Sequence, residues 1–186
     1  RSGKKSDAGA STCETCAGGT FSLAESSNCT TCDGGTAATS GSSACTGCES
    51  GYYAAVGSSA CSKCDGGTWS NDTADTCTTC SAGRYAASGA SFCMECDAGK
   101  KSDAGASACE TCAGGTFSLA ESSNCTTCDG GTAATSGSSA CTGCESGYYA
   151  AVGSSACSKC DGGTWSNDTA DTCTTCSAGR YAASGA

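Results

Sequence analysis

Hydrophobic residues follow neither of the two periods that mark ordinary secondary structure. No apolar stripe recurs at helical spacing, and glycines interrupt the chain too often for a helix. Aromatic rings usually stand two residues after a glycine, separated by multiples of 16 residues. Each 16-residue segment reads as a short extended piece, a turn marked by glycine or Asn-Asp, and a short return. The pattern predicts small irregular hairpins in tandem, with little helix.

The spacing of the cysteines defines the length of these segments. All 22 lie in C-x-x-C pairs that begin every 16 residues, from Cys13 to Cys173. We number each repeat from the first cysteine of its pair, which makes the second cysteine position 4. Position 7 never varies, which indicates a positive φ or a close backbone approach that a Cβ would block. These structural glycines are Gly19, Gly35, Gly51, Gly67, Gly83 and Gly99, and the series continues to Gly179.

Position 9 holds eight of the eleven aromatic residues. One ring per repeat, fixed beside a glycine, is expected to stack over a disulfide or the next repeat's backbone and to supply what little apolar packing exists. Packing should be thinner where the slot holds Ala37 or Lys101. The packing aromatics of the first copy are Phe21, Tyr53, Trp69 and Tyr85.

A longer period contains the shorter one. Residues 4–90 recur at 100–186 with a single change, Thr12 to Ala108. We therefore divide the chain into the end of a preceding repeat (1–12), one 96-residue block of six repeats (13–108) and a second, incomplete copy (109–186). This organisation predicts a fragment of a longer tandem array.

Composition excludes a conventional hydrophobic core. Leu, Ile, Val and Phe together number only seven of 186 residues, about 4%. Below about 20%, a chain is expected to be disordered unless something other than a core holds it. Cysteine at about 12% is typical of a small disulfide-rich scaffold and of an oxidising, extracellular compartment.

The spacing leaves two disulfide pairings open. One joins the second cysteine of each pair to the first of the next, repeats with the observed period and leaves only Cys13 and Cys176 without a partner. The other joins neighbouring pairs crosswise, Cys13 with Cys29 and Cys16 with Cys32, but eleven pairs then leave one over. We favour the first: Cys16 with Cys29, Cys32 with Cys45, Cys48 with Cys61, Cys64 with Cys77, Cys80 with Cys93, Cys96 with Cys109, Cys112 with Cys125, Cys128 with Cys141, Cys144 with Cys157, and Cys160 with Cys173.

The sequence gives little support for a metal, cofactor or catalytic site. C-x2-C-x12-C-x2-C is close to the spacing of four-cysteine zinc sites, but the odd number of pairs disfavours zinc. The aspartates after the pairs are too dispersed to supply the six to eight oxygens of calcium. With no histidine, no G-x-S-x-G elbow and no P-loop, we predict neither an enzyme nor a bound cofactor. These aspartates are Asp33, Asp65, Asp97, Asp129 and Asp161.

Surface chemistry favours a sugar-bearing extracellular chain. The net charge of −9 disfavours nucleic acid as a partner, and no apolar run is long enough to insert into a membrane. Serine and threonine supply 57 of 186 residues. All four asparagines lie in N-x-Thr, the N-glycosylation pattern. Asn71 and Asn167 in a predicted turn are the better candidates, and Asn28 and Asn124 beside bonded cysteines are the weaker ones.

The motif C-x-x-C-x-x-G-x-aromatic, seen as CETCAGGTF, CTGCESGYY, CSKCDGGTW and CTTCSAGRY, resembles the ephrin-receptor-like cysteine-rich repeat and, more loosely, tumour-necrosis-factor-receptor modules. Such repeats occur in extracellular regions of animal proteins and in large surface and ciliary-hair proteins of protists. The resemblance implies an elongated array of disulfide-bonded hairpins, and the favoured pairing fits it. One departure is the residue after the second cysteine, which is commonly proline in the family and is Asp, Ala, Glu or Ser here.

The near-identity of the two copies guides the functional prediction. Binding modules diverge because each meets different contacts, whereas a fibre needs every length increment to behave alike. The sequence therefore predicts a glycosylated extracellular or cell-surface structural protein that self-associates into, or decorates, a filament or appendage. The alternative is a binding ectodomain that recognises a protein or glycan ligand.

Overall fold

A computed structural model describes all 186 residues, Arg1–Ala186, and contains strands and turns but no helix. Every strand is two residues long, because turns interrupt the chain on both sides. The strands are β1 Lys4–Lys5, β2 Glu14–Thr15, β3 Thr20–Phe21, β4 Thr30–Thr31, β5 Thr36–Ala37, β6 Thr46–Gly47, β7 Tyr52–Tyr53, β8 Ser62–Lys63, β9 Thr68–Trp69, β10 Thr78–Thr79, β11 Arg84–Tyr85, β12 Met94–Glu95, β13 Lys100–Lys101, β14 Glu110–Thr111, β15 Thr116–Phe117, β16 Thr126–Thr127, β17 Thr132–Ala133, β18 Thr142–Gly143, β19 Tyr148–Tyr149, β20 Ser158–Lys159, β21 Thr164–Trp165 and β22 Thr174–Thr175.

Each odd-numbered strand pairs with the strand that follows it, which gives a series of two-stranded sheets from β1–β2 to β21–β22. In the β3–β4 hairpin, Thr20 faces Thr31 and Phe21 faces Thr30, antiparallel. A hairpin therefore joins positions 8 and 9 of one repeat to positions 2 and 3 of the next. The predicted fold class, a disulfide-rich tandem array of small hairpins with little helix, is confirmed.

The chain forms two compact units, and the same connections between repeats recur in each. In the first unit the amide of Gly19 donates to the carbonyl of Ala38 at 2.7 Å. In the second unit the amide of Gly115 donates to the carbonyl of Ala134 at 2.7 Å. The first unit comprises Arg1–Cys80, Tyr85–Met94 and Gly105–Ala108, and the second comprises Ser81–Arg84, Glu95–Ala104 and Cys109–Ala186.

The buried hydrophobic side chains are cysteine and alanine only. Every disulfide-bonded position-4 cysteine is at most 3% exposed, and small clusters such as Ala37, Cys48 and Ala54 complete the interior. Large apolar side chains such as Leu23 (64% exposed) and Val56 (70% exposed) lie at the surface. Short side chains let neighbouring backbones approach each other, so main-chain hydrogen bonds and disulfides replace a conventional core.

Candidate functional site

The recurring site of this protein is the junction between consecutive repeats, and a disulfide lies at its centre. The structure has the first of the two pairings that the spacing leaves open, with Cα–Cα distances such as 5.7 Å between Cys16 and Cys29. Cys13 and Cys176 have no partner. The other bonds are Cys32–Cys45, Cys48–Cys61, Cys64–Cys77, Cys80–Cys93, Cys96–Cys109, Cys112–Cys125, Cys128–Cys141, Cys144–Cys157 and Cys160–Cys173.

The position-4 cysteine is also a backbone anchor. The amide of Cys32 donates to the carbonyl of Gly19 at 2.9 Å, which closes the hairpin next to the disulfide. The carbonyl of Cys16 accepts from the amide of Gly41 at 2.9 Å and from the hydroxyl of Ser40 at 3.0 Å. Each bonded position-4 cysteine thus has its side chain and both main-chain polar groups engaged, which is what a buried residue requires.

The position-7 glycine accommodates a third repeat. Gly19 has a φ of +82°, and a Cβ built on it would overlap the carbonyl group of Gly57. Gly57 belongs to the repeat two steps further along, so each junction involves three repeats rather than two. The equivalent pair in the second compact unit is Gly115 and Gly153, where Gly115 has a φ of +84°. Both reasons for an invariant glycine that the sequence suggested, positive φ and close approach, apply here.

Position 10 holds a small residue, serine or alanine, that packs into the junction. Ser70 is 2% exposed, and its hydroxyl donates to the carbonyl of Tyr52 at 2.9 Å. Ser118 donates in the same way to Lys100 at 2.8 Å. In the repeats that have alanine here, such as Ala38, position 8 of the preceding repeat is threonine, and Thr20 donates its own hydroxyl to Ala17 at 2.8 Å. No buried side-chain nitrogen or oxygen lacks a partner.

Position 9 contributes less to the interior than the sequence predicts. The predicted packing aromatics Phe21, Tyr53, Trp69 and Tyr85 are all half-buried, and none is among the fully buried side chains. Ala37, where thinner packing was expected, is only 7% exposed and packs with Cys48 and Ala54. The reason is geometric, because a junction built on close backbone contact admits an alanine fully and a ring only in part.

The turn at Asn71-Asp72-Thr73 takes the place of the glycine turn of other repeats. Asp72 accepts a hydrogen bond from the amide of Ser50 through Oδ1 at 2.7 Å, which ties the turn to the preceding repeat. Thr73 has a φ of +56°, an unusual conformation for a β-branched residue. Asn71 is exposed, as are the other candidate asparagines, Asn28, Asn124 and Asn167.

A cluster of charged side chains lies at the junction around Arg84. Arg84 donates to Glu95 at 2.7 Å and to Glu121 at 2.9 Å. The hydrogen bond to Glu121, together with the charges of both carboxylates, raises the pKa of Arg84 above its ordinary value. No signal within a single repeat could have predicted this cluster, because Arg84 and Glu121 are 37 residues apart.

The candidate aspartates Asp33, Asp65, Asp97, Asp129 and Asp161 are all exposed, and no three Cys, Asp or Glu side chains come together as a potential metal site.

A groove of about 580 Å³ is lined by Trp165, Arg180 and Tyr181, among others. No helix in the structure has the length and apolar character needed to cross a membrane.

No known family model and no curated protein matches this chain. The site itself supports a coarser description. The protein is a cysteine-rich tandem-repeat protein of disulfide-stapled hairpins, and this density of disulfides is characteristic of extracellular proteins.

Proposed function

We propose that this chain is part of an extracellular structural protein, a glycosylated repeat array that forms or decorates a filament or cell-surface appendage. The observation that carries the proposal is the recurrence of the same backbone hydrogen bonds at the junctions. The amide of Gly19 donates to Ala38, and that of Gly67 donates to Ala86, both at 2.7 Å. A protein in which every repeat meets its neighbours through the same backbone bonds can extend by adding repeats, since stability is then a sum of repeat and junction terms.

Duplication of the block supports the same proposal. Residues 4–90 recur at 100–186 with one change. Junctions at equivalent places keep the same partners, for example Gly35 with Ala54 and Gly131 with Ala150, both at 2.7 Å. The resemblance of the motif to ephrin-receptor-like repeats of surface proteins is consistent with this role and remains part of the proposal.

Sheet edges in this chain are short, which favours growth along the array over uncontrolled lateral pairing. Each strand has two residues, and very short edge strands are one way in which proteins avoid edge-to-edge aggregation. The net charge of −9 adds mutual repulsion between copies at neutral pH. Self-association into a fibril would then use specific contacts instead of open sheet edges.

Glycosylation is a separate part of the proposal, and mass spectrometry tests it. We expect the peptides that carry Asn71 and Asn167, released from the protein purified from its natural source, to exceed the mass of their bare sequence. Enzymatic removal of N-glycans should convert Asn71 and Asn167 to aspartate more completely than Asn28 and Asn124, which adjoin disulfide cysteines. Masses equal to those of the bare peptides at all four asparagines would exclude N-glycans.

Scattering experiments test the structural role. Chains carrying one, two and three copies of residues 13–108 should show a radius of gyration that rises nearly in proportion to residue number. A compact domain follows an exponent of about 0.38 and an unfolded chain about 0.6, so a value near 1 identifies an extended array. The fully reduced chains supply the unfolded control. An exponent near 0.38 for the oxidised chains would contradict a role based on length.

A further inference from the structure

Positions 3 and 13 of consecutive repeats face each other across every junction, and their sizes are matched. Gly41 at position 13 faces Thr15 at position 3, and a Cβ on Gly41 would lie 3.4 Å from the Thr15 methyl group. Glycine with threonine is the commonest combination. It recurs as Gly57 with Thr31, Gly105 with Thr79, Gly137 with Thr111, and Gly153 with Thr127.

One junction in each copy has the reverse arrangement. Here position 3 is Gly47 and position 13 is Thr73, whose methyl group would lie 2.8 Å from a Cβ on Gly47. The copy is Gly143 with Thr169, where the corresponding distance is 2.9 Å. Threonine is retained at position 13 although its φ is +56°, a conformation that disfavours a β-branched residue. Threonine and glycine have exchanged positions in this pair, so the combined size of the two residues is the same as in the common pair.

The other two combinations are also complementary. Lys63 lies against Gly89, where any Cβ would overlap the lysine side chain. Glu95 and Glu121 would repel each other, but Arg84 bonds to both, at 2.7 Å and 2.9 Å. The six junctions of a block therefore comprise four chemically different pairs: threonine with glycine, glycine with threonine, lysine with glycine, and glutamate with glutamate through arginine.

We propose that these position 3 and position 13 pairs select which repeat docks onto which, and so specify the register in which the disulfides form. Such selection is needed because every repeat offers the same C-x-x-C pair and the same backbone bonds. Thr73 accepts only Gly47, since the other position-3 residues of the block are threonine, lysine or glutamate. A shift of one to five repeats would place a second side chain against Thr73.

A shift of six repeats is the exception. It would bring Gly143 to Thr73, an equivalent match, because the block repeats after 96 residues. The pairs thus specify the docking register of repeats within a block, but they do not distinguish one block from the next. This inference concerns assembly of the fold and holds for either proposed function, whether the array is a filament or a binding ectodomain.

Oxidative refolding of the full chain tests the proposal. The reduced, unfolded protein is refolded in a glutathione buffer, and the disulfides are mapped by proteolysis without reduction. In Gly47→Thr two threonines meet, and we expect the yield of chains with Cys48–Cys61 and Cys64–Cys77 bonds to fall about tenfold, the scale of an overpacked contact. Adding Thr73→Gly recreates the common pair and should restore at least half of the wild-type yield. Each substitution changes the mass of its peptide, which distinguishes the first copy from the second.

The Thr73→Gly variant alone distinguishes a role in selecting the docking partner from a role as an ordinary packing contact. Glycine at position 13 accepts most position-3 residues, so the share of bonds between wrong repeats should rise severalfold. Thr76→Gly is the control, because it adds the same chain flexibility in the same repeat, outside the pair. Its map should match that of the wild type.

Three results would overturn the proposal. The first is a wild-type yield for Gly47→Thr. The second is a double variant that refolds no better than Gly47→Thr. The third is a disulfide map of Thr73→Gly that equals that of Thr76→Gly, which would make the pair a packing contact without a role in register.

Discussion

Replacing Gly67 with alanine is expected to undock the repeat that carries Gly105, at a cost above about 4 kcal/mol, the range reached only when a substitution leaves no room for relaxation. A Cβ on Gly67 would overlap the Gly105 carbonyl group, which is backbone and cannot rotate away. The φ of +87° adds strain of about 1 kcal/mol for any residue other than glycine.

Gly163 is the counterpart of Gly67 in the second copy. In a protein of these 186 residues it provides a matched control, because the chain includes no counterpart of Gly105 to approach it. Its φ is +85°, but nothing lies within 4 Å of a Cβ built on it. Gly163→Ala therefore isolates the strain from the close approach, and should cost only about 1 kcal/mol. The difference between the two variants reports the docking of the third repeat.

Amide hydrogen exchange measures both effects at equivalent places. The amide of Cys80 donates to Gly67, and that of Cys176 donates to Gly163, both at 2.9 Å. Protection of Cys80 should fall by about a thousandfold in Gly67→Ala, whereas protection of Cys176 should fall about fivefold in Gly163→Ala, at 1.4 kcal/mol for each factor of ten. Equal losses would mean that the three-repeat junction does not stabilise the fold.

Reduction of the disulfides should unfold the entire chain in the absence of denaturant. Seven large aliphatic or phenylalanine side chains in 186 residues cannot offset the ordering entropy, and those at the surface, such as Phe92 (60% exposed), bury little. Each disulfide closes a loop of about 14 residues, for which the chain-entropy model gives about 3 kcal/mol. Circular dichroism and amide exchange should both report a disordered chain after reduction. If the amides of the reduced chain remained protected from exchange, the backbone hydrogen bonds between repeats would be sufficient to hold the fold without disulfides.

Removing a single bond refines this prediction. In Cys64→Ala/Cys77→Ala, the loss of one native disulfide is expected to cost about 2–5 kcal/mol. The effect should be confined to the neighbouring repeats, because each repeat contacts only nearby ones. The equivalent bond of the second copy, Cys160–Cys173, remains and serves as the internal standard. Unfolding of both copies together would contradict local stabilisation.

The framework of the fold could be predicted from the sequence because it repeats within each 16-residue segment. The spacing of cysteines restricted the pairing to two schemes, and the constancy of Gly19 and its equivalents indicated a special backbone conformation. Hairpins followed from the turn residues. These features are local, so a single repeat contains the signal for them.

The remaining features depend on pairs far apart along the chain. Gly19 meets Gly57, and Thr73 meets Gly47, at separations of 38 and 26 residues. A signal was nevertheless present, because glycine stands at one member of nearly every position 3 and position 13 pair. The aromatic rings are the more conspicuous signal because rings usually dominate cores, whereas Ala37 and the cysteines form this one.

Electron microscopy of the native material is the most direct test of a structural role. An antibody against the exposed Ala55-Val56-Gly57 turn, which contains no candidate glycosylation site, would locate the chain in preparations from its natural source. A structural array predicts regular filaments or appendages, labelled at intervals set by the 96-residue block. Isolated monomers, each bound to a defined protein or glycan ligand, would contradict it and would establish a binding ectodomain instead.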